Sequence, residues 1–133
     1  AAPAPVFDRR EVSDDLARRA GEVLGRELAA MGVNVNYAPS ADVNVNPQNP
    51  VVGVRSFGEN PREVARLSAA MIAGIQSQGV AATVKHFPGH GDTCVDSHVS
   101  LPVVAHDRAR LEAVEFVPFK AAMQANVERG GSR

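Results

Sequence analysis

Residues 85–98 read Lys-His-Phe-Pro-Gly-His-Gly-Asp-Thr-Cys-Val-Asp-Ser-His and hold three of the chain's four histidines, two carboxylates and a lysine. Three kinds of chemistry fit that inventory. In the first, His86 and His90 stand four apart with Asp92 and His98 as further ligands, the spacing that puts two imidazoles on one face of a helix and could hold zinc. Pro88 and Gly89 lie between them, and both oppose a helix. In the second, the same groups are capping and hydrogen-bonding residues of a well-ordered turn. In the third, Asp96 and His98, one residue apart, form an acid/base pair. The carboxylate accepts from one imidazole nitrogen, fixes the tautomer and leaves the other nitrogen free toward a cleft. Asp-x-His is a common spacing, and on residue types alone the three readings stay open.

The elements that must position this segment follow from hydrophobic spacing and turn chemistry. A proline-bearing arm, 1–7, precedes a helix that is expected to start near Ser13, with Asp14 and Asp15 on the favourable side of its dipole. Leu16, Ala20, Val23, Leu24, Leu28 and Met31 form its expected buried stripe, and Gly32 stops it. Residues 33–37 alternate as a strand, and a polar stretch rich in Asn and Pro runs from Pro39 to Asn60. Loops of that length in a compact domain are usually functional or disordered. Asn60-Pro61 opens a second helix with buried Val64, Leu67, Met71, Ile72 and Ile75, and Gly79 closes it. Val80 to Phe87 reads as a strand, and a second polar loop follows to about Pro102. Asp107 caps a third helical region with Leu111, Val114 and Phe119, interrupted at Pro118. Residues 128–133 read as a disordered or artificial tail.

Met31-Gly32-Val33 and Gln78-Gly79-Val80 echo one another, each ending a helix and opening a strand. Alternating helices and strands point to a parallel α/β sheet, whose functional loops follow the strands' C-terminal ends. Both long polar loops follow strands. The 133 residues form one domain of average composition, with 44% hydrophobic and 22% charged residues. Ala and Val, 21 and 20 in number, dominate the apolar set and suit close-packed α/β layers. A net charge of −1 excludes an electrostatic grip on nucleic acid or anionic lipid. No apolar run approaches the ~20 residues a spanning helix needs, and the first ten residues lack the apolar stretch of a leader. The single cysteine, Cys94, allows no internal disulfide.

Lys85-His86-Phe87-Pro88-Gly89-His90-Gly91-Asp92-Thr93, followed by Asp96-Ser97-His98 and Leu101-Pro102, resembles the signature of glycoside hydrolase family 3, more narrowly its β-N-acetylglucosaminidase branch. Asn36-Tyr37-Ala38-Pro39 with Asp42-Val43-Asn44, then Arg55-Ser56-Phe57-Gly58, resemble the same family's preceding strand and loop. The resemblance spans roughly residues 12–127 and implies a (β/α)8 barrel. It also implies retaining hydrolysis of terminal β-linked N-acetylglucosamine from peptidoglycan or chitin. Lys85 and His86 would bind the terminal sugar's hydroxyls, and Arg55 would reach the same sugar. His98 would protonate the leaving oxygen and then activate water, with Asp96 orienting it. An imidazole suits both steps, since its pKa lies near operating pH and it adds no full negative charge opposite the nucleophile. His90 is expected to be structural, His106 an exposed helix-start residue, and Asp42 structural or substrate-adjacent.

The family's covalent intermediate forms on an aspartate, which by this resemblance lies beyond residue 133, and an acidic sugar-binding segment is expected before residue 1. A closed barrel takes ~250 residues. The expectation is therefore the central portion of a barrel, inactive alone and completed by the rest of the enzyme or by other copies. No metal, cofactor, nucleic acid or membrane is called for, and the partner is a carbohydrate. The bacterial cytoplasm is the implied compartment, with the periplasm or secretion as alternatives. A non-catalytic sugar-binding α/β module is the second reading, and a metal-dependent hydrolase the third.

Overall fold

The computed structural model describes residues 9–46, 48–49, 51–93 and 100–130. The arm at 1–7 lies outside them. In chain order the elements are helix α1 (Arg9–Ala30), strand β1 (Val35–Asn36), a 3-10 turn (Gly53–Arg55), helix α2 (Pro61–Ser77), strand β2 (Ala81–Ala82), helix α3 (Arg108–Ala113) and helix α4 (Phe116–Gly130). The two strands are parallel, with Val35 opposite Ala81 and Asn36 opposite Ala82. This is the alternating helix-and-parallel-strand architecture of a partial α/β barrel.

Local chemistry explains most of the boundaries. The Asn60 side chain accepts from the amides of Arg62 (3.0 Å) and Glu63 (3.3 Å), two donors that lack helical partners, and Pro61 fills the first helical position. Gly32 and Gly79 end α1 and α2 with φ of 78° and 80°, a left-handed conformation costly to any residue with a Cβ. The echo between these two segments is thus a repeated helix stop leading into paired strands. Asp107 accepts from Arg110 N at 2.8 Å and starts α3. The chain breaks at Val114–Glu115 and resumes as α4 with Pro118 in the first turn, where the missing N–H costs nothing. α4 continues through Gly130, so the first residues of the expected tail, 128–130, are helical.

The strands are shorter than expected because proline interrupts the ladder. Ala81 N donates to Asn34 O and Thr83 N to Asn36 O, both at 2.9 Å. Pro39 has no amide to continue the pattern. Pairing resumes beyond it, with Lys85 N to Pro39 O at 3.2 Å and Ala41 N to Lys85 O at 2.7 Å. The peptide bonds Ala38–Pro39, Lys85–His86 and Phe87–Pro88 are cis.

Helix α2 is central, packed between α1 and α4 and over β2. Val64, Ile72 and Ile75 are fully buried, each contributing about 1.5–3 kcal/mol of transfer free energy. Phe119 and Ala122 cover α2 from α4, and Leu67 and Met71 are half-buried. On α1 the expected stripe is corrected. Leu16, Val23, Leu24 and Met31 are exposed, and the buried face is Ala17, Gly21 and Gly25. Ser13 lies inside the helix, not at its cap. The reason is steric. A Cβ at Gly21 would stand 2.3 Å from the Met71 carbonyl oxygen, and one at Gly74 would stand 2.0 Å from that of Arg18. Backbone meets backbone, and no large side chain fits between the two helices.

That contact defines a test. Gly74→Ala drives a methyl into the α1 backbone and is expected to cost about 1–3 kcal/mol, read as a lower urea midpoint with an unchanged slope. Val23→Ala, on the exposed face of the same helix, should stay within about 0.5 kcal/mol of the parent.

Candidate active site

The long loops after β1 and β2 are ordered against each other around one side chain. Asp42 is completely buried. Its Oδ1 accepts from the amides of His86 (3.3 Å) and His90 (2.7 Å). Its Oδ2 accepts from Ser40 Oγ (2.9 Å) and faces His86 Nδ1 at 2.6 Å. Four polar contacts to one carboxylate offset the large cost of taking its charge out of water. Further ties run in parallel. Asn49 Nδ2 donates to His90 O at 2.6 Å, while its Oδ1 accepts from Val51 N and Val52 N. Ser56 Oγ donates to Asp42 O at 2.9 Å. Gly91 passes so close to Val43 that a Cβ there would stand 1.8 Å from its carbonyl oxygen. The described residues between Pro39 and Asn60 therefore form a docked platform.

His86 keeps 32% of its side chain exposed and lines a cleft of about 400 Å³ with Phe87, Pro88, Gly89, His90, Thr93, Pro102 and Val104. Lys85 and Arg55 line a neighbouring cleft of about 350 Å³ with Tyr37, Ser40, Phe57 and Met71. Both clefts lie where the chain leaves the C-terminal ends of the strands. The three expected sugar ligands thus flank the Lys85–His86 peptide, with His86 in one cleft and Lys85 and Arg55 in the other. The Arg55 guanidinium also donates to the Val51 carbonyl, which braces its own turn. The Lys85 ammonium has no ion pair among the described residues. Asp96 and His98 lie outside the described residues.

His90 is buried and structural, as expected. Its Nδ1 meets Thr93 Oγ1, and its ring stands 6.0 Å from that of His86 at an interplanar angle of 86°. The expectation for His106 is corrected. Only a quarter of its side chain is exposed, and its Nε2 lies 2.5 Å from Asp92 Oδ2. Arg110, in the first turn of α3, lies 3.7 Å from the same oxygen and 3.2 Å from Glu115 Oε1. Glu115 is 98% buried, since its relative exposure is 2%. His106 precedes α3, so helical spacing does not link it to Arg110, and tertiary contacts build this network. Nothing in the sequence marks Glu115 as its buried anion.

These contacts bear on metal binding. Among the described residues, His86, His90 and Asp92 do not bring ligand atoms together, because Asp42, Thr93 and His106 engage them separately. Asp92, His106 and Glu115 do converge, with ligand atoms within 4.8 Å of one another. The Arg110 guanidinium already supplies positive charge to both carboxylates there, which makes the cluster an ion network that fastens the second loop to α3 and α4.

Residues 3–129 match the family model described as the glycosyl hydrolase family 3 N terminal domain. The chain is 47% identical over 113 residues to "Beta-hexosaminidase A" of Pseudoalteromonas piscicida, covering 85% of this chain and 19% of that protein. Its fold superimposes with a TM-score of 0.82 on a glycoside hydrolase family 3 β-N-acetylglucosaminidase from Paenibacillus sp. str. FPU-7, at 54% identity over 84% of this chain and 21% of that one. Native NagZ from Neisseria gonorrhoeae superimposes equally well, with a TM-score of 0.82 at 36% identity over 89% of this chain and 34% of that one. The chain therefore spans about a third or less of the length of these relatives.

The ion network yields its own test. Arg110→Ala strands the buried Glu115 carboxylate and is expected to destabilise the chain by about 3 kcal/mol in urea unfolding at neutral pH. Adding Glu115→Gln to that variant removes the stranded charge and should recover at least half of the loss.

Proposed function

The chain belongs to glycosyl hydrolase family 3, and from that premise we propose that it forms the acid/base and sugar-gripping part of a retaining β-N-acetylhexosaminidase. The substrate is a terminal β-linked N-acetylglucosamine on a peptidoglycan- or chitin-derived oligosaccharide. The observation that carries this reading is the Lys85–His86 pair where the chain leaves the β2 strand, flanked by two clefts and opposite Arg55. Lys85 and Arg55 donate to sugar oxygens, and the half-exposed His86 meets a hydroxyl from the other side. The 54% identity of this chain to a family 3 β-N-acetylglucosaminidase supports this assignment.

Chemistry in this reading comes from the segment after Thr93. His98 protonates the glycosidic oxygen as the bond to the anomeric carbon breaks, and an aspartate outside this chain takes the sugar as a covalent ester. The His98 imidazole then removes a proton from water, which attacks the same carbon and releases the sugar with its configuration retained. Asp96 holds the His98 ring in the tautomer that presents a nitrogen to the leaving oxygen.

Two measurements test the proposal. The 133-residue chain alone should release no nitrophenol from 4-nitrophenyl N-acetyl-β-glucosaminide, because the nucleophile is not in it. A chimera in which this chain replaces the matching segment of the Paenibacillus enzyme should turn the substrate over, and His98→Ala in that chimera should lower kcat by about 10²- to 10⁴-fold with KM little changed. Turnover by the isolated chain, or equal damage to kcat and KM, contradicts the assignment.

A further inference from the structure

We propose that Asp42 is a positioning residue that holds His86 as the Nδ1–H tautomer, making Nε2 a hydrogen-bond acceptor for a substrate hydroxyl. This rests on the reading of His86 as a sugar ligand. The tautomer follows from counting donors and acceptors. Oδ1 of Asp42 is committed to two backbone amides, those of His86 and His90, which can only donate. Oδ2 is shared by the Ser40 hydroxyl at 2.9 Å and His86 Nδ1 at 2.6 Å. An ionised carboxylate accepts only, so a hydrogen bond of that length requires the proton on Nδ1. A neutral imidazole has one such proton, which leaves a lone pair on Nε2.

The functional consequence lies in how the three side chains read as sugar ligands divide the donor and acceptor roles. Lys85 and Arg55 are donors without acceptor capacity. A pyranose hydroxyl brings a hydrogen as well as lone pairs, and neither Lys85 nor Arg55 can accept that hydrogen. An acceptor Nε2 on the cleft-facing imidazole can. Leaving a polar hydrogen unpaired in a closed site is costly enough to discriminate between ligands. Asp42 reaches the sugar only through His86, and its own burial keeps it from any direct contact.

Asp42→Asn separates this role from a merely structural one. The two amide donors require an oxygen at the Oδ1 position, so the new side-chain NH2 must occupy the Oδ2 position and donate toward His86 Nδ1. The ring must then carry its proton on Nε2. In the full chain with 15N-labelled histidine, the neutral His86 ring is expected to show a pyrrole-type Nδ1 and a pyridine-type Nε2, and Asp42→Asn to exchange the two. In the same samples, N-acetylglucosamine should bind at least about ten-fold more weakly to Asp42→Asn than to the parent, by analogy with the loss seen when a partner that orients a metal-ligating histidine is removed.

The parent spectrum alone is decisive if the variant fails to fold, because an Nε2–H tautomer in the parent overturns the proposal. So does a variant that keeps the parent tautomer, or one that inverts it with sugar affinity unchanged. If the parent has the expected tautomer but its Nε2 signal does not respond to saturating sugar, the assignment of His86 as a sugar ligand fails instead, and the acceptor role fails with it.

Discussion

A negative charge with no access to water must be surrounded by donors, and Asp42 draws its donors from segments far apart in the chain. Ser40 is two residues away, but His86 and His90 belong to the loop after the other strand. The carboxylate thereby makes the geometry of the second loop a condition of burying the first. Asn49 on the carbonyl of His90 and Gly91 against Val43 repeat the same coupling without charge. These polar ties, beside the buried Ala41, Val43 and Val52, leave the Lys85–His86 peptide in a defined place between two clefts.

Helix packing serves this arrangement from beneath. Glycines at 21, 25 and 74 let α1 and α2 approach backbone to backbone, and α4 closes the other side of α2 with Phe119 and Ala122. The strands they carry are short, yet their parallel register runs on through Ser40 and Lys85. Alignment of those two residues is what sets Asp42 beside His86. The stacked pair Phe87 and Phe116, 5.6 Å apart, and the edge of Phe119 anchor the loop to α4 just after the site begins. Farther along, the Asp92–His106–Arg110–Glu115 network fastens the same loop to α3 and α4.

Local side-chain chemistry sets most of the helix boundaries, Ser13 being the exception because α1 already runs from Arg9. Asn60-Pro61 and Asp107 start helices because a side-chain oxygen meets free amides, and Gly32 and Gly79 stop them because a left-handed turn suits no other residue as well. The apolar stripe on α1 is not its buried face, since spacing identifies an apolar face but not what contacts it. Here the small residues face α2 and the large ones face outward. The strands came out short because a proline breaks the ladder inside a run whose composition is otherwise that of a strand. Asp42 is legible as a strand-end carboxylate, and Lys85, His86 and Arg55 are marked as expected sugar ligands by family resemblance alone. The hub itself was not legible. Its partners lie 44 and 48 positions away, and no periodicity links them. His106 and Glu115 were missed for the same reason, being brought to Asp92 by tertiary contacts alone.

The most direct measurement of the buried-carboxylate claim is amide hydrogen exchange at His90, whose N–H points at Asp42. In the parent that amide should be protected about as strongly as Thr83 N in the β ladder. In Asp42→Ala the His90 amide should lose most of its protection while Thr83 keeps its own. A His90 amide that already exchanges freely in the parent, or one unaffected by the substitution, would contradict the view that this carboxylate holds the two loops together.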